Sequence, residues 1–234
     1  MCIRDREEAY FSSYLSNAQL EERMRALAAR CSDMMRLVAV GTSGRGAPIL
    51  ALELADPPGP AAAAPRAAFR YVGNLHGDEP TGRQLLLGLA DYVCRERRRD
   101  ARAGRIASSM RLVLIPSANP DGYERKRREN AAGVDLNRNF PDPVEGPRAA
   151  EEAARRSAAG AARAPTPFNL TAITPAQQPE TAALMAFTLA TGPYVAAAAL
   201  HEGALVANYP CARAPPPSLI RPSLRPLAAA ARSA

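Results

Sequence analysis

The sequence predicts an α/β fold with a central mixed, mostly parallel sheet flanked by helices. Short β-type runs alternate with helix-type segments along most of the chain, the signature of strands connected by helices. The 234 residues, 47% of them hydrophobic, suffice for one sizeable core or at most two small ones. The most apolar stretches, 110–116 and 194–200, are strand-sized, and no apolar run reaches the length of a membrane span.

The elements follow in chain order. Residues 17–31 carry apolar positions at helical spacing, after a Ser16-x-x-Gln19 arrangement suited to an N-terminal cap. Residues 36–40 and 49–54 are β-type runs on either side of a glycine-rich turn at 41–46. A Pro/Ala-rich loop at 56–65 leads to a strand at 69–74 and a helix from Pro80 to about Arg97. Residues 112–116 form a buried strand ending in the turn Asn119-Pro120-Asp121-Gly122. A helix over 179–190 precedes an apolar strand at 194–200, which runs into His201. Two segments break this rhythm. Residues 144–167, rich in Ala, Arg and Pro, read as a loop insertion, and 211–234 hold five prolines, no acidic residue and no clean periodicity.

Charged residues make up 23% of the chain, which excludes wholesale disorder. The net charge of +7 is almost entirely arginine, Lys126 being the only lysine. Such a surplus favours acidic partners in general. No aromatic interleaving or binding module accompanies the arginine runs, so nucleic acid is not an expected partner. Cys2, Cys31, Cys94 and Cys211 show no CxxC spacing, which excludes a cysteine zinc site and leaves disulfides open. The N-terminus has no apolar signal-peptide core.

The chain has two histidines, His76 and His201, and both fall at strand ends. Glu79 follows His76 by three residues around a strand-to-helix turn. Zinc prefers His nitrogen and carboxylate oxygen, and a catalytic site takes three protein ligands with one position open. His76 and Glu79 would supply two, and His201 the third if it shares a parallel sheet, whose C-terminal strand ends converge on one crevice. Spacing alone does not separate this from histidines that satisfy local hydrogen bonds. A second cluster holds Arg128, Asn137 and Arg138. A guanidinium grips a carboxylate through two parallel hydrogen bonds, and asparagine amides add neutral donors. Arg125, Lys126 and Arg127, like Arg95 to Arg99, read as solvated charge runs.

Four blocks join in one order: GNLHGDEPTGRQLLLGLADYVC at 73–94, IPSANPDGYE at 115–124, RENAAGVDLNRNFPD at 128–142 and QPETAALMAFTLATGPYVAAAALHEGALVANYP at 178–210. Together they resemble the zinc metallocarboxypeptidase family, in its carboxypeptidase D/E/N-type branch. The opening segment, 10–56, is similar as well. The resemblance implies a sheet of about eight strands and a single Zn2+ held by His76, Glu79 and His201. It makes Asn137 and Arg138 the grip on a substrate's terminal carboxylate, and Arg128 the group that polarises the scissile carbonyl. The implied reaction is removal of the C-terminal residue of peptides or proteins by water that zinc activates. The implied setting is secreted or in the secretory pathway.

Three departures stand out. The family's general-base glutamate lies downstream of the third ligand, and this chain has no Asp or Glu after Glu202. Glu202 replaces a glycine, and Ala212 stands where members specific for basic residues carry an aspartate. The expected organisation is therefore a non-native or unstructured start at 1–9, a partial catalytic domain at 10–210 interrupted by 144–167, and a divergent tail at 211–234. The fold is expected to be incomplete at its C-terminus and the chain inactive as it stands. Alternatives are a non-catalytic binder of peptide C-termini and a zinc amidohydrolase that deacylates amino acids.

Overall fold

The computed structural model describes residues 13–55, 66–142 and 172–207. The segments at 1–9, 56–65, 144–167 and 211–234 singled out above lie outside these residues. The chain divides into two units. The first, Met1–Phe140 with Ile173–Glu202, holds every helix and strand below. The second, Pro141–Ala172 with Gly203–Ala234, has few described residues, and those carry no regular structure.

Helix α1 (Asn17–Arg30) opens with the expected capping box: the Ser16 hydroxyl accepts from the Gln19 N–H, and the Gln19 side chain accepts from the Ser16 N–H. Leu20, Met24 and Leu27 form its buried stripe. Strands β1 (Met35–Thr42) and β2 (Pro48–Leu54) pair antiparallel, with a bulge between Ala39 and Gly41. Strand β3 (Ala67–Gly73) feeds helix α2 (Thr81–Glu96). Helix α3 (Ala101–Ser109), absent from the sequence reading, follows at once. Its local signal is Asp100, whose carboxylate accepts from the N–H groups of Arg102 and Ala103. Strand β4 (Met110–Ile115) ends in the expected turn, which closes into the one-turn helix α4 (Pro120–Glu124) capped by Asn119. Helix α5 (Pro179–Thr191) and strand β5 (Ala196–Leu200) complete the unit.

Among the described residues, five strands form one sheet in the order β1-β2-β4-β3-β5. β2 runs antiparallel to β1 and β4, while β3 is parallel to β4 and β5, so every strand except β2 runs one way. The sheet is mixed with mostly co-directional strands, as the alternating pattern predicts. Alternate side chains point to opposite faces of a strand, and the cores follow that rule. Leu52, Leu54, Leu112 and Leu114 join α1, α2 and α3 on one face. Ile49, Ala51, Val113 and Ile115 join Leu184 and Phe187 of α5 on the other. At Gly41 a Cβ would stand 2.5 Å from the Ala183 Cβ, so glycine lets α5 approach the bulged strand. A disulfide joins Cys31, at the end of α1, to Cys94 on α2, with Cα atoms 5.9 Å apart. β3 and β4 lie inside the sheet, and their C-terminal ends, with that of β5, open on the same edge. That edge carries the chemistry.

Candidate metal centre

β3 ends at Gly73, and the chain turns through Asn74 to Glu79 before α2 begins. The turn packs backbone against backbone. A Cβ on Gly77 would lie 2.1 Å from the Gly122 carbonyl carbon and 2.4 Å from the Arg127 oxygen, so only glycine fits. The Gly77 N–H donates to Arg128 O at 3.1 Å, tying the turn to the loop after α4. β5, parallel to β3, delivers His201 one residue past its end, beside that turn.

The side chains converge. His76 Nδ1 lies 2.8 Å from Glu79 Oε1 and 3.1 Å from His201 Nδ1, and His201 Nδ1 lies 2.7 Å from Glu79 Oε2. His76 is buried, Glu79 half-buried and His201 exposed, so the cluster opens to solvent on one side. His76 Nε2 faces Asp135 Oδ1 at 3.2 Å. An ionised carboxylate only accepts, so Nε2 carries the proton and Nδ1 offers a lone pair to the cluster. Arg128 Nη1, a donor at 3.1 Å from the same Nδ1, agrees with that tautomer. Lone pairs of two imidazoles and a carboxylate crowded within about 3 Å repel unless a cation lies among them. Ligand atoms of a tetrahedral zinc at ~2.0–2.2 Å stand roughly 3.4 Å apart. The observed 2.7–3.1 Å separations would need roughly 0.3–0.7 Å of opening to reach that spacing. The donor set, two imidazole nitrogens and a carboxylate, would suit one zinc ion, and the cluster is open to solvent on the His201 side.

Asp135 is the residue that sequence reasoning missed. Its Oδ2 accepts from Arg128 Nε and Nη2 at 3.0 and 2.9 Å, and its Oδ1 accepts from the Asn137 N–H at 2.8 Å as well as from His76. It therefore caps the 3₁₀ turn Leu136–Arg138 and orients the histidine at once. The sequence offered one signal, its place at the start of the DLNRN run. Burial pushes the Asp135 carboxyl up, but the Arg128 and Asn137 hydrogen bonds outweigh it and hold the group below its ordinary value. Glu79 behaves alike: burial raises it, and its contacts with the His201 and His76 rings bring the net below the ordinary carboxylate value.

Arg128 is half-buried against this cluster, whereas Arg125, Lys126 and Arg127 are exposed, as a solvated run requires. Asn137 and Arg138 are exposed on the 3₁₀ turn that Asp135 caps, and the Arg138 guanidinium donates to Asn137 O at 3.2 Å. They reach the centre through Asp135 rather than by touching its ligand atoms. Glu202 accepts from the Thr81 N–H at the first turn of α2, so its carboxylate serves as a helix cap.

A layered α/β domain with a His/Glu/His centre at the strand C-termini defines a class of zinc-dependent hydrolase. The zinc carboxypeptidase family profile matches residues 20–233, and the chain belongs to that family. The matched span includes 144–167 and most of 211–234. The chain is 41% identical over 197 residues to carboxypeptidase SOL1 of Arabidopsis thaliana, an alignment covering 84% of this chain and 35% of that protein. It is 35% identical over 202 residues to carboxypeptidase D of Anas platyrhynchos, covering 82% of this chain and 12% of the relative. It thus spans about a third or less of these relatives. The crystal structure of thrombin activatable fibrinolysis inhibitor superposes with a TM-score of 0.71 at 19% identity, over 97% of this chain and 55% of the other, a likeness of fold.

Proposed function

We propose that this chain forms the metal-binding and substrate-gripping part of a metallocarboxypeptidase that removes the C-terminal residue of peptides or proteins. The observation that carries the proposal is the convergence of His76, Glu79 and His201 from two parallel strand ends, with Asp135 fixing the tautomer that turns His76 Nδ1 inward. These three residues would hold the zinc ion. When bound, zinc supplies Lewis acidity that lowers the pKa of water and polarises a carbonyl.

The remaining roles fall to this chain's own side chains. Arg138 offers a planar, exposed fork suited to a terminal carboxylate, and Asn137 an amide beside it. Arg128 lies close enough to the ligands to share negative charge developing on a carbonyl oxygen there. A positioned base contributes ~10²–10⁴-fold to hydrolysis. Among the described residues, Asp135 is committed to His76 and Arg128, and Glu202 to the Thr81 N–H. The described residues are therefore expected to bind zinc and peptide C-termini, with neither Asp135 nor Glu202 free to act as the base.

The Cys31–Cys94 bridge supports a secreted or secretory-pathway setting, since structural disulfides persist in oxidising compartments. No helix among the described residues is long and apolar enough to cross a membrane. The test is zinc stoichiometry by metal analysis, combined with binding of peptides that carry either a free or an amidated C-terminus. One zinc per chain, lost in His201→Ala, and a preference for the free carboxylate that Arg138→Ala abolishes are expected. Unchanged zinc content in His201→Ala, or equal binding of amidated peptides, would overturn it.

A further inference from the structure

Behind the metal-bearing turn lies a buried cation that the chemistry above does not use. Arg83, on the first turn of α2, is only 1% exposed, and its guanidinium is bonded by neutral groups. Nη1 donates to Ser117 Oγ at 2.6 Å, Asn17 Oδ1 at 3.0 Å and Asn74 Oδ1 at 3.4 Å, while Nη2 donates to Leu15 O at 3.1 Å. The guanidinium carbon sits 3.6 Å over the Tyr123 ring centroid, and the Tyr123 hydroxyl donates to the same Leu15 carbonyl. Burial pulls the group down to about 10, against the opposing pull of Tyr123 and Glu124. Retaining a desolvated cation calls for a purpose.

Asn74 shows what the cation faces. It is fully buried at φ 53°, a left-handed conformation that asparagine tolerates better than most residues. Its Nδ2 donates to three carbonyls of the metal-bearing turn: His76 O at 2.8 Å, Gly77 O at 3.1 Å and Glu79 O at 3.3 Å. Its Oδ1 accepts from Ser117 Oγ at 3.0 Å and from Arg83. A guanidinium can only donate. Were the carboxamide reversed, its NH2 would meet donors and its oxygen would meet three carbonyl oxygens.

We propose that Arg83 is a positioning residue for the metal centre: its donor-only guanidinium fixes the Asn74 carboxamide in the single orientation that clamps the His76–Glu79 turn. Ser117, between them, accepts from Arg83 and donates its own O–H to Asn74 Oδ1. The link to zinc rests on the function proposed above; the clamp itself does not. Arg83→Met keeps much of the volume and removes the donors. Arg83→Lys keeps a cation. Asn74→Gly accepts the positive φ and removes the carboxamide.

Two readouts separate the questions. Amide hydrogen exchange on the metal-free chain reports the clamp, through the Gly77 and Glu79 N–H groups that are bonded within and across the turn. A competition titration reports zinc affinity. Arg83→Met and Asn74→Gly should speed exchange over residues 74–80 at least about tenfold, leave the paired strands protected, and weaken zinc binding ~10–100-fold. Arg83→Lys should fall between. Unchanged exchange over 74–80, or acceleration spread equally through the sheet, would overturn the proposal. Should Arg83→Met fail to fold, Asn74→Gly tests the clamp and Arg83→Lys, which loses the guanidinium but keeps the charge, tests the share of Arg83 in it: exchange over 74–80 as slow as wild type in Arg83→Lys would overturn the role of Arg83. If the wild-type chain takes up no zinc, the proposed function falls while the exchange result still decides whether Arg83 holds the turn.

Discussion

Removing the Cys31–Cys94 bridge is the sharpest perturbation of stability that this fold offers. The two cysteines are 63 residues apart in sequence, and the loop they close contains β1, β2, β3 and most of α2. In the chain-entropy view, a cross-link closing a loop of this length restricts the unfolded ensemble by about 4 kcal/mol at 25 °C. Both cysteines are buried in the core shared by α1 and α2. Deleting two sulfur atoms, each roughly a methylene in size, adds about 1–2 kcal/mol of lost packing. The double variant Cys31→Ala/Cys94→Ala should therefore be about 4–6 kcal/mol less stable than the oxidised protein. Urea unfolding at 25 °C measures this directly. The slope of free energy on urea should also rise, because an uncrosslinked denatured chain exposes more surface. Reducing the wild-type protein should reproduce most of the change without altering any side chain. A loss below about 2 kcal/mol would show that the loop argument is wrong. Four free thiols in the unreduced, denatured protein would show that the bridge itself is wrong.

Three further outcomes follow from the geometry. Asp135→Asn should weaken zinc binding ~10–100-fold, because a neutral amide accepts the His76 Nε2 proton more weakly and turns an NH2 donor toward a donor partner; a competition titration with unchanged affinity would remove Asp135 from the centre. Gly77→Ala should destabilise the chain by at least ~2 kcal/mol in urea unfolding, since backbone atoms at 2.1–2.4 Å from the new Cβ cannot yield as a flexible side chain would. Asp100 is held below its ordinary value first by the Ala103 N–H and then by the Tyr92 hydroxyl. A depressed carboxyl pKa makes its stabilising effect complete above about pH 4 and lost as the pH falls through the lower folded value. The melting-temperature advantage of wild type over Asp100→Ala should therefore be constant near neutral pH and shrink below about pH 4; an advantage unchanged at pH 2 would refute the cap's titration.

The sequence by itself placed most of the elements and named candidate residues for the chemistry. Periodicity placed α1, β2 and α5 within a residue or so of their observed ends. The Ser16 capping box was legible because its partners lie within one turn. Three ligand candidates were legible because histidine is scarce here and both copies follow strand-like runs. Helix α3 escaped, since it is short, carries Gly104 in its interior and fully buries only the small residues Ala103 and Ala107, leaving the Asp100 cap as its clearest local signal. What tertiary structure alone decided is the pairing of distant groups. The order β4-β3-β5 brings His201 beside His76 across 125 positions of sequence, and no local rule encodes that crossover. The Cys31–Cys94 bridge, the Asp135 hub and the Arg83–Asn74 clamp share that origin. Hydrogen bonds and covalent links of this kind depend on where backbones come to rest after packing. A sequence can name the participants, but only a folded sheet brings their atoms within bonding distance.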